Sequence, residues 1–427
     1  MFSADRRRFL RAGLAASALV ALDGYANPLP PKISGQVVIV GGGYAGATCA
    51  RYLRLWSAGQ VAVTLIERQA SFVSCPLSNL VLAGNRRIDD ITLSYDRLRE
   101  HWGIRLVRDE AVDFDTDRRL VVLGNGERLT YDRLVLSPGI DFMWEDLPAF
   151  ADPAAGTAIL HAWKAGPQTL ALRRQLEAMP DGGLFVMTIP KAPYRCPPGP
   201  YERACLVADY CQRHKSRAKV IILDANDDVV SKKALFVSAW NELYPGIIDY
   251  RPGQELKDVD VRTRSAILDF EQQRADVLNV IPPQRAGDIA ARAGVRLINQ
   301  RWAEIDWLSM EAVGSAGIHV IGDAVFPAPT MPKSAHMANQ HGKLAAAAIL
   351  RRLAGQSPSA SPVLTNTCYS FVAPDNAIHV TSVHRYDPAS RLLQPIPGAG
   401  GVSPARNENE AKYAMAWARN IWADTLS

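Results

Sequence analysis

The chain has few cysteines for its length, little net charge and no long apolar run. Six cysteines in 427 residues are too few for a disulfide scaffold, and since six allow about 15 pairings, spacing alone leaves connectivity open. The formal charge of +5, from 48 basic and 43 acidic residues, gives no argument for a nucleic-acid partner. No stretch reaches the roughly 18 uninterrupted apolar residues that a membrane-crossing helix needs, so no transmembrane segment is expected. The haem-attachment pattern Cys-x-x-Cys-His does not occur, so any haem belongs to another chain. Internal repeats and low-complexity tracts are missing too. What remains, 48% hydrophobic and 21% charged, can bury a core spread over roughly two or three domains.

The first 26 residues read as a targeting segment rather than as part of the fold. Arg6, Arg7 and Arg8 lead into Phe9-Leu10 and a short apolar run, Ala12 to Leu22, and small residues around Gly24-Tyr25-Ala26 offer a cleavage site. The order resembles a twin-arginine export signal, and the periplasm is the expected compartment. Disulfides are permitted there. A Pro-rich linker, Pro28 to Pro31, follows.

Gln36-Val37-Val38-Ile39-Val40 is a continuous β-branched run suited to a strand buried on both faces of a parallel sheet. Gly41-Gly42-Gly43-Tyr44-Ala45-Gly46 then opens a helical pattern, Ala47 to Leu55, and a second strand, Val61 to Ile66, ends at Glu67. In such a βαβ unit Gly41 makes the tight turn, Gly43 admits a pyrophosphate to the backbone and Gly46 lets the helix pack on the strand. Glu67 sits where an acid accepts hydrogen bonds from a ribose. The unit is therefore read as a dinucleotide-binding half, with the helix N-terminus aimed at phosphate.

Further strands are expected at Arg133 to Leu136, ending in Ser137-Pro138-Gly139, at Gly183 to Ile189, and at Lys219 to Leu223. Helices are expected from Trp163 to Ala178 and from Tyr201 to Lys215. A late strand, Ile318 to Ile321, ends in Gly322-Asp323, whose carboxylate suits a flavin ribityl or pyrophosphate group. The helix beginning near Pro332-Lys333-Ser334 is expected to point its N-terminus at a flavin ring. Together with the first unit these features indicate FAD, with Gly139, Gly322, Asp323 and Lys333 as further binding candidates. Reductases of this layout carry a second Gly-rich turn for NAD(P)H. Here the corresponding place reads Pro190 to Pro198, whose prolines lack the N–H donors a pyrophosphate needs, which argues against a nicotinamide site.

Cys196 stands in this proline elbow, at the carboxyl end of a strand, where ligands gather in open α/β sheets. Read alone, Cys196 and Cys368 suit a packed structural thiol as well as a reactive one. Cys205 and Cys211 fall about 240° apart on one helix and cannot bridge each other. Cys49 reads as core, and Cys75 lies close enough to the second strand to reach a flavin.

Several strings together resemble the flavoprotein subunit of flavocytochrome c sulfide dehydrogenase: VVIVGGGYAGATCARYL at 37–53, PYRCPPGPYER at 193–203, GIHVIGD at 317–323, PKSAHMANQHGK at 332–343 and NTCYS at 366–370. The resemblance implies an α/β fold of two Rossmann-like, glutathione-reductase-like domains plus a C-terminal α+β interface domain. Its segments would be a signal at 1–26, an FAD-binding domain at 34–145 and 286–355, a second Rossmann-like domain at 146–285 and a C-terminal domain at 356–427. It implies that Cys75 bonds the flavin covalently, that Cys196 and Cys368 form a redox disulfide, and that Glu202 and Trp417 lie near the flavin. Pro76 departs from the pattern, standing where a bulkier residue is expected. The implied activity is oxidation of sulfide to sulfur or polysulfide, with electrons passed to a separate c-type cytochrome subunit in a heterodimer. Two alternatives share much of this layout: a sulfide:quinone reductase, and a non-catalytic FAD-binding partner of a thiosulfate-oxidising system. A pyridine nucleotide-linked disulfide reductase is disfavoured by the proline elbow.

Overall fold

A computed structural model describes residues 33–427; the expected export signal and the Pro-rich linker lie outside the described residues. Strand β1 (Gln36–Val40), helix α1 (Tyr44–Trp56) and strand β2 (Ala62–Ile66) form the expected βαβ unit. Strands β3 (Arg105–Val107) and β4 (Arg133–Leu136) join the same sheet. The residues after β3 form a separate three-stranded antiparallel sheet, with the turn between its second and third strands at 124–127.

A second sheet begins with β5 (Leu184–Ile189), runs through the elbow into α2 (Gly199–His214), and continues with β6 (Lys219–Asp224), α3 (Lys233–Leu243), β7 (Ile248–Pro252) and β8 (Val277–Val280). Its order is β7–β6–β5–β8, all parallel. Such sheets are buried on both faces, which is why β5 and β6 carry almost unbroken apolar runs. The helix before β5 starts at Pro167 rather than Trp163: Gly166, at φ 140°, breaks the backbone and Pro167 fills the first helical position, where its missing N–H costs nothing.

The chain then returns to the first sheet. Strand β9 (Ile318–Val320) lies parallel beside β4, giving the order β9–β4–β1–β2–β3, and α4 (Ala335–Leu353), capped by Ser334, packs along α1. The C-terminal segment adds an antiparallel pair, β10 (Val363–Ala373) and β11 (Asn376–Asp387), and helix α5 (Glu408–Leu426). Helix α5 is 19 residues long. Its end is fastened to the first domain, where Asn339 Nδ2 donates to Asp424 Oδ2 at 2.8 Å and Lys343 pairs with the same carboxylate at 2.7 Å. Among the described residues no helix is long and apolar enough to cross a membrane.

The glycine turn meets its geometric demands. Gly41 has φ 100°, a region that side-chain-bearing residues avoid, and a Cβ there would lie 2.3 Å from the Ser137 carbonyl oxygen. A Cβ on Gly46 would lie 1.9 Å from the Gly41 carbonyl oxygen, so α1 can approach the turn only with glycine at that place. Gly46→Ala is therefore expected to destabilise the fold by about 1–3 kcal/mol through overpacking, read as a lower thermal midpoint together with weaker flavin retention.

Candidate functional site

One cavity of about 860 Å³ runs between the two parallel sheets and the C-terminal segment, near the upper end of the range that houses small-molecule ligands. Gly41, Gly43 and Glu67 line one end; Ser137, Gly139, Gly322 and Asp323 line its length; Cys75, Cys196, Glu202, Cys368 and Trp417 line the other. Eleven of the thirteen residues singled out from sequence thus line one cavity. Gly46 stands behind it as a packing residue, as its role requires.

The glycine end fits a dinucleotide. A Cβ on Gly43 or Gly139 would meet nothing within 4 Å, so both leave the backbone open to a ligand. Glu67 is held by the turn itself: its Oε2 accepts from the Gly42 N–H at 2.7 Å and its Oε1 from Gln69 at 2.8 Å. Each oxygen keeps lone-pair capacity for a ribose hydroxyl. Ser334, Ala335 and His336, at the N-terminus of α4, line the cavity as expected.

Lys333 requires a correction. Its side chain is absent from the large cavity; it turns inward, where the ammonium donates to the carbonyl oxygens of Asp323 and Val325 and lies 3.6 Å from the centre of the Trp302 ring. Burial pulls it down to about 7, opposed by the Asp323 charge. Lys333 therefore shapes the Asp323 turn instead of touching a cofactor. Asp323 itself is not a helix cap, and burial pushes its carboxyl upward against the pull of Arg195 and Lys333.

At the far end, three cysteines from distant segments face the cavity, each half-buried. All six cysteines are free thiols in this structure. Cys49, Cys205 and Cys211 are fully buried, in agreement with packing roles. Cys196 is held in the left-handed region at φ 58°, with its N–H donating to the Lys333 carbonyl at 2.7 Å and its sulfur against Gly199 at the start of α2. Burial raises both the Cys196 and the Cys368 thiols, and Cys368 acts on Cys196 as a like charge.

Glu202 is drawn into the site rather than left on a helix surface. Its Oε2 accepts from Asn79 Nδ2 at 2.8 Å and its Oε1 from the Phe371 N–H at 2.8 Å, joining the Cys75 segment to the strand that carries Cys368. Burial raises its carboxyl above the usual range. Arg203, overlooked in the sequence, completes the frame: it donates to Asn79 Oδ1, Asn279 Oδ1 and the carbonyls of His161 and Ala162. It stays charged, being pulled down only to about 10. His161, also unforeseen, lines the cavity and is held down to about 3 by burial and by Arg203, Lys164 and Arg195, so it is neutral at physiological pH. The only signal for Arg203 was its place as the last residue of the 193–203 string, and burial at both positions is set by distant segments. Among the described residues no cluster suits a metal ion.

The second sheet repeats the plan of the first with the opposite outcome. Asp224, at the end of β6, is the counterpart of Glu67, but it is fully buried and saturated. Its oxygens accept from Tyr201 at 2.7 Å, Tyr250 at 3.1 Å, and the backbone and side chain of Asn226 at 2.9 and 2.7 Å. No acceptor is left for a nicotinamide ribose.

Comparison with known proteins agrees with this geometry. The model for the sulfide dehydrogenase (flavocytochrome c) flavoprotein chain, central, matches residues 169–282, and the one for flavocytochrome c sulphide dehydrogenase, flavin-binding, matches 360–426. A pyridine nucleotide-disulphide oxidoreductase model matches 35–160. The sulfide dehydrogenase (flavocytochrome c) flavoprotein chain of Chlorobaculum thiosulfatiphilum is 50% identical over 46 residues, which cover 94% of that sequence and 11% of this chain. The chain belongs to this family. Membership places it among flavoprotein oxidoreductases that act on sulfide. The mitochondrial sulfide:quinone oxidoreductase of Mus musculus is 22% identical over 72% of this chain and 69% of its own length. Among solved structures, the sulfide:quinone oxidoreductase from Aquifex aeolicus superposes with a TM-score of 0.75 at 16% identity over 91% of each chain, a likeness of fold.

For a family member whose second sheet is filled in this way, anaerobic NADH should leave the flavin absorbance unchanged; rapid bleaching would mean that a nicotinamide site survives.

Proposed function

We propose that the chain oxidises sulfide through a redox pair, Cys196 and Cys368, beside an FAD bound covalently at Cys75, and that it delivers the electrons to a separate c-type cytochrome in the periplasm. The observation that carries this reading is the convergence of Cys75, Cys196 and Cys368, from three distant segments, on the cavity that begins at the dinucleotide turn.

FAD, when bound, accepts electrons in pairs and releases them singly, as a haem requires. The chain's own residues prepare the reaction. Arg195, Arg203 and Lys164, around a neutral His161, make the wall electropositive and favour an anionic hydrosulfide. In the oxidised form a Cys196–Cys368 disulfide is opened by that anion, leaving a persulfide on one sulfur and a thiolate on the other. Glu202, raised by burial and in reach of the same space, holds or moves the accompanying proton. The Cys75 segment is presented by a rigid turn: Ser78 Oγ donates to the Cys75 carbonyl at 2.6 Å, and Ser74 Oγ to the Pro76 carbonyl at 2.8 Å. Pro76 is accommodated there, its carbonyl serving as an acceptor.

The acceptor separates this reading from a quinone-reducing one, which the fold likeness to sulfide:quinone oxidoreductase keeps in view. Purified protein given sulfide should reduce added cytochrome c and not a soluble quinone; the reverse preference would overturn the cytochrome assignment. Anaerobic stoichiometric sulfide should bleach the flavin, and Cys196→Ser should abolish turnover. Glu202→Gln should slow sulfide-driven bleaching by about 10²–10⁴-fold, the usual worth of a general acid–base group. Acid precipitation should leave yellow flavin in the pellet, attached to the Cys75 peptide; a colourless pellet would contradict covalent attachment.

A further inference from the structure

Lys232 lies outside the cavity and outside every motif discussed so far, yet it is buried, at 8% exposure. It caps the start of α3 in the left-handed region, at φ 54°, a conformation that a lysine adopts only where its surroundings impose it. Its ammonium donates to the Cys368 carbonyl at 3.1 Å and to Ser370 Oγ at 2.8 Å. Side chains two residues apart on a strand share a face, so the bond to Ser370 Oγ puts the ammonium on the face of β10 from which the Cys368 side chain also projects. Glu202 grips the same short stretch through the Phe371 N–H. Among the described residues no carboxylate forms an ion pair with Lys232.

We propose that Lys232 is a positioning residue whose buried charge stabilises the Cys368 thiolate, making Cys368 the leaving sulfur and Cys196 the carrier of the persulfide. This rests on the cysteine-pair reading given above. Hydrosulfide attacks Cys196 Sγ; the S–S bond breaks and its electron pair departs on Cys368 Sγ; the attacking sulfur stays on Cys196 as a persulfide. One negative charge enters and one remains, now beside Lys232. Glu202, which faces the same ammonium, is then placed to take the proton that the persulfide sheds.

The charged groups around the pair are consistent with this division. Cys368 feels Lys232 as its largest favourable charge and Glu202 as an opposing one, whereas Cys196 feels Cys368 and Glu202 as opposing charges and is helped by Arg195 ahead of Lys232. Lys232 is in turn supported by Cys368, Glu202, Cys196 and Glu410 against the cost of its burial. Cys196 also has the N-terminus of α2 beside it, so the experiment must report on each sulfur separately.

The test reads thiolate character without sulfide. Reduced, flavin-loaded protein is pulsed with iodoacetamide over a neutral-to-alkaline pH series, and alkylation of Cys368 and Cys196 is followed by peptide mass spectrometry. Lys232→Met should slow Cys368 alkylation at neutral pH by about tenfold, the effect of a one-unit rise in its titration, with a smaller change at Cys196. Lys232→Arg should recover most of the rate. An unchanged Cys368 profile, or equal slowing at both cysteines, would overturn the proposal. If Lys232→Met does not fold, Ser370→Ala decides: loosening the ammonium should slow Cys368 selectively, and an unaltered profile would sink the idea. Failure of sulfide to bleach the wild-type flavin would overturn the proposed function and leave this alkylation result standing.

Discussion

The site depends on one backbone hydrogen bond, from the Cys196 N–H to the Lys333 carbonyl at 2.7 Å. It joins the proline elbow of the second sheet to the segment that enters α4 in the first domain. Through its side chain the same lysine holds the carbonyls of Asp323 and Val325, so the acidic turn after β9 and the cysteine after β5 are positioned from a single residue. A bond of this kind contributes only about 1 kcal/mol on its own. Its consequence is geometric: Cys196, held at a positive φ, can face the cavity only while the elbow is anchored there.

Around that anchor, buried polar groups tie otherwise separate segments together. Asn79 links the Cys75 turn to Glu202; Glu202 links α2 to β10; Arg203 links both to the loop containing His161 and Ala162. Fully satisfied networks of this type specify a single arrangement, because any slip leaves a buried charge unpaired. The two parallel sheets show what such satisfaction decides. Glu67 keeps capacity for a ligand and faces open space beyond Gly43, whereas Asp224 is consumed by Tyr201, Tyr250 and Asn226.

Much of this was legible in the sequence because it rests on local chemistry. The β-branched run, the three glycines and Glu67 declare a dinucleotide turn through short-range sterics, and Pro190 to Pro198 declares an elbow whose prolines lack N–H donors. Lys333 was misjudged because its place before a helix suggests a charge aimed outward at a cofactor, while the Trp302 ring and two carbonyls draw it inward. For Glu202 only the resemblance pointed to the site; what buries it, Asn79 and the Phe371 N–H, comes from distant segments. Lys232 was illegible: beside Lys233 and shortly after Asp227 and Asp228 it reads as a solvated charge, and only the arrival of β10, more than a hundred residues later, buries it.

The central claim is that Cys196 and Cys368 act as one redox unit. The most direct measurement is peptide mapping of the air-oxidised, unreduced protein before and after one equivalent of sulfide. The account predicts a disulfide-linked pair of peptides carrying Cys196 and Cys368, which sulfide converts, in samples quenched before the flavin bleaches, into a persulfide on Cys196 and a free Cys368. Recovery of the two cysteines on separate, unlinked peptides from the oxidised protein would contradict it.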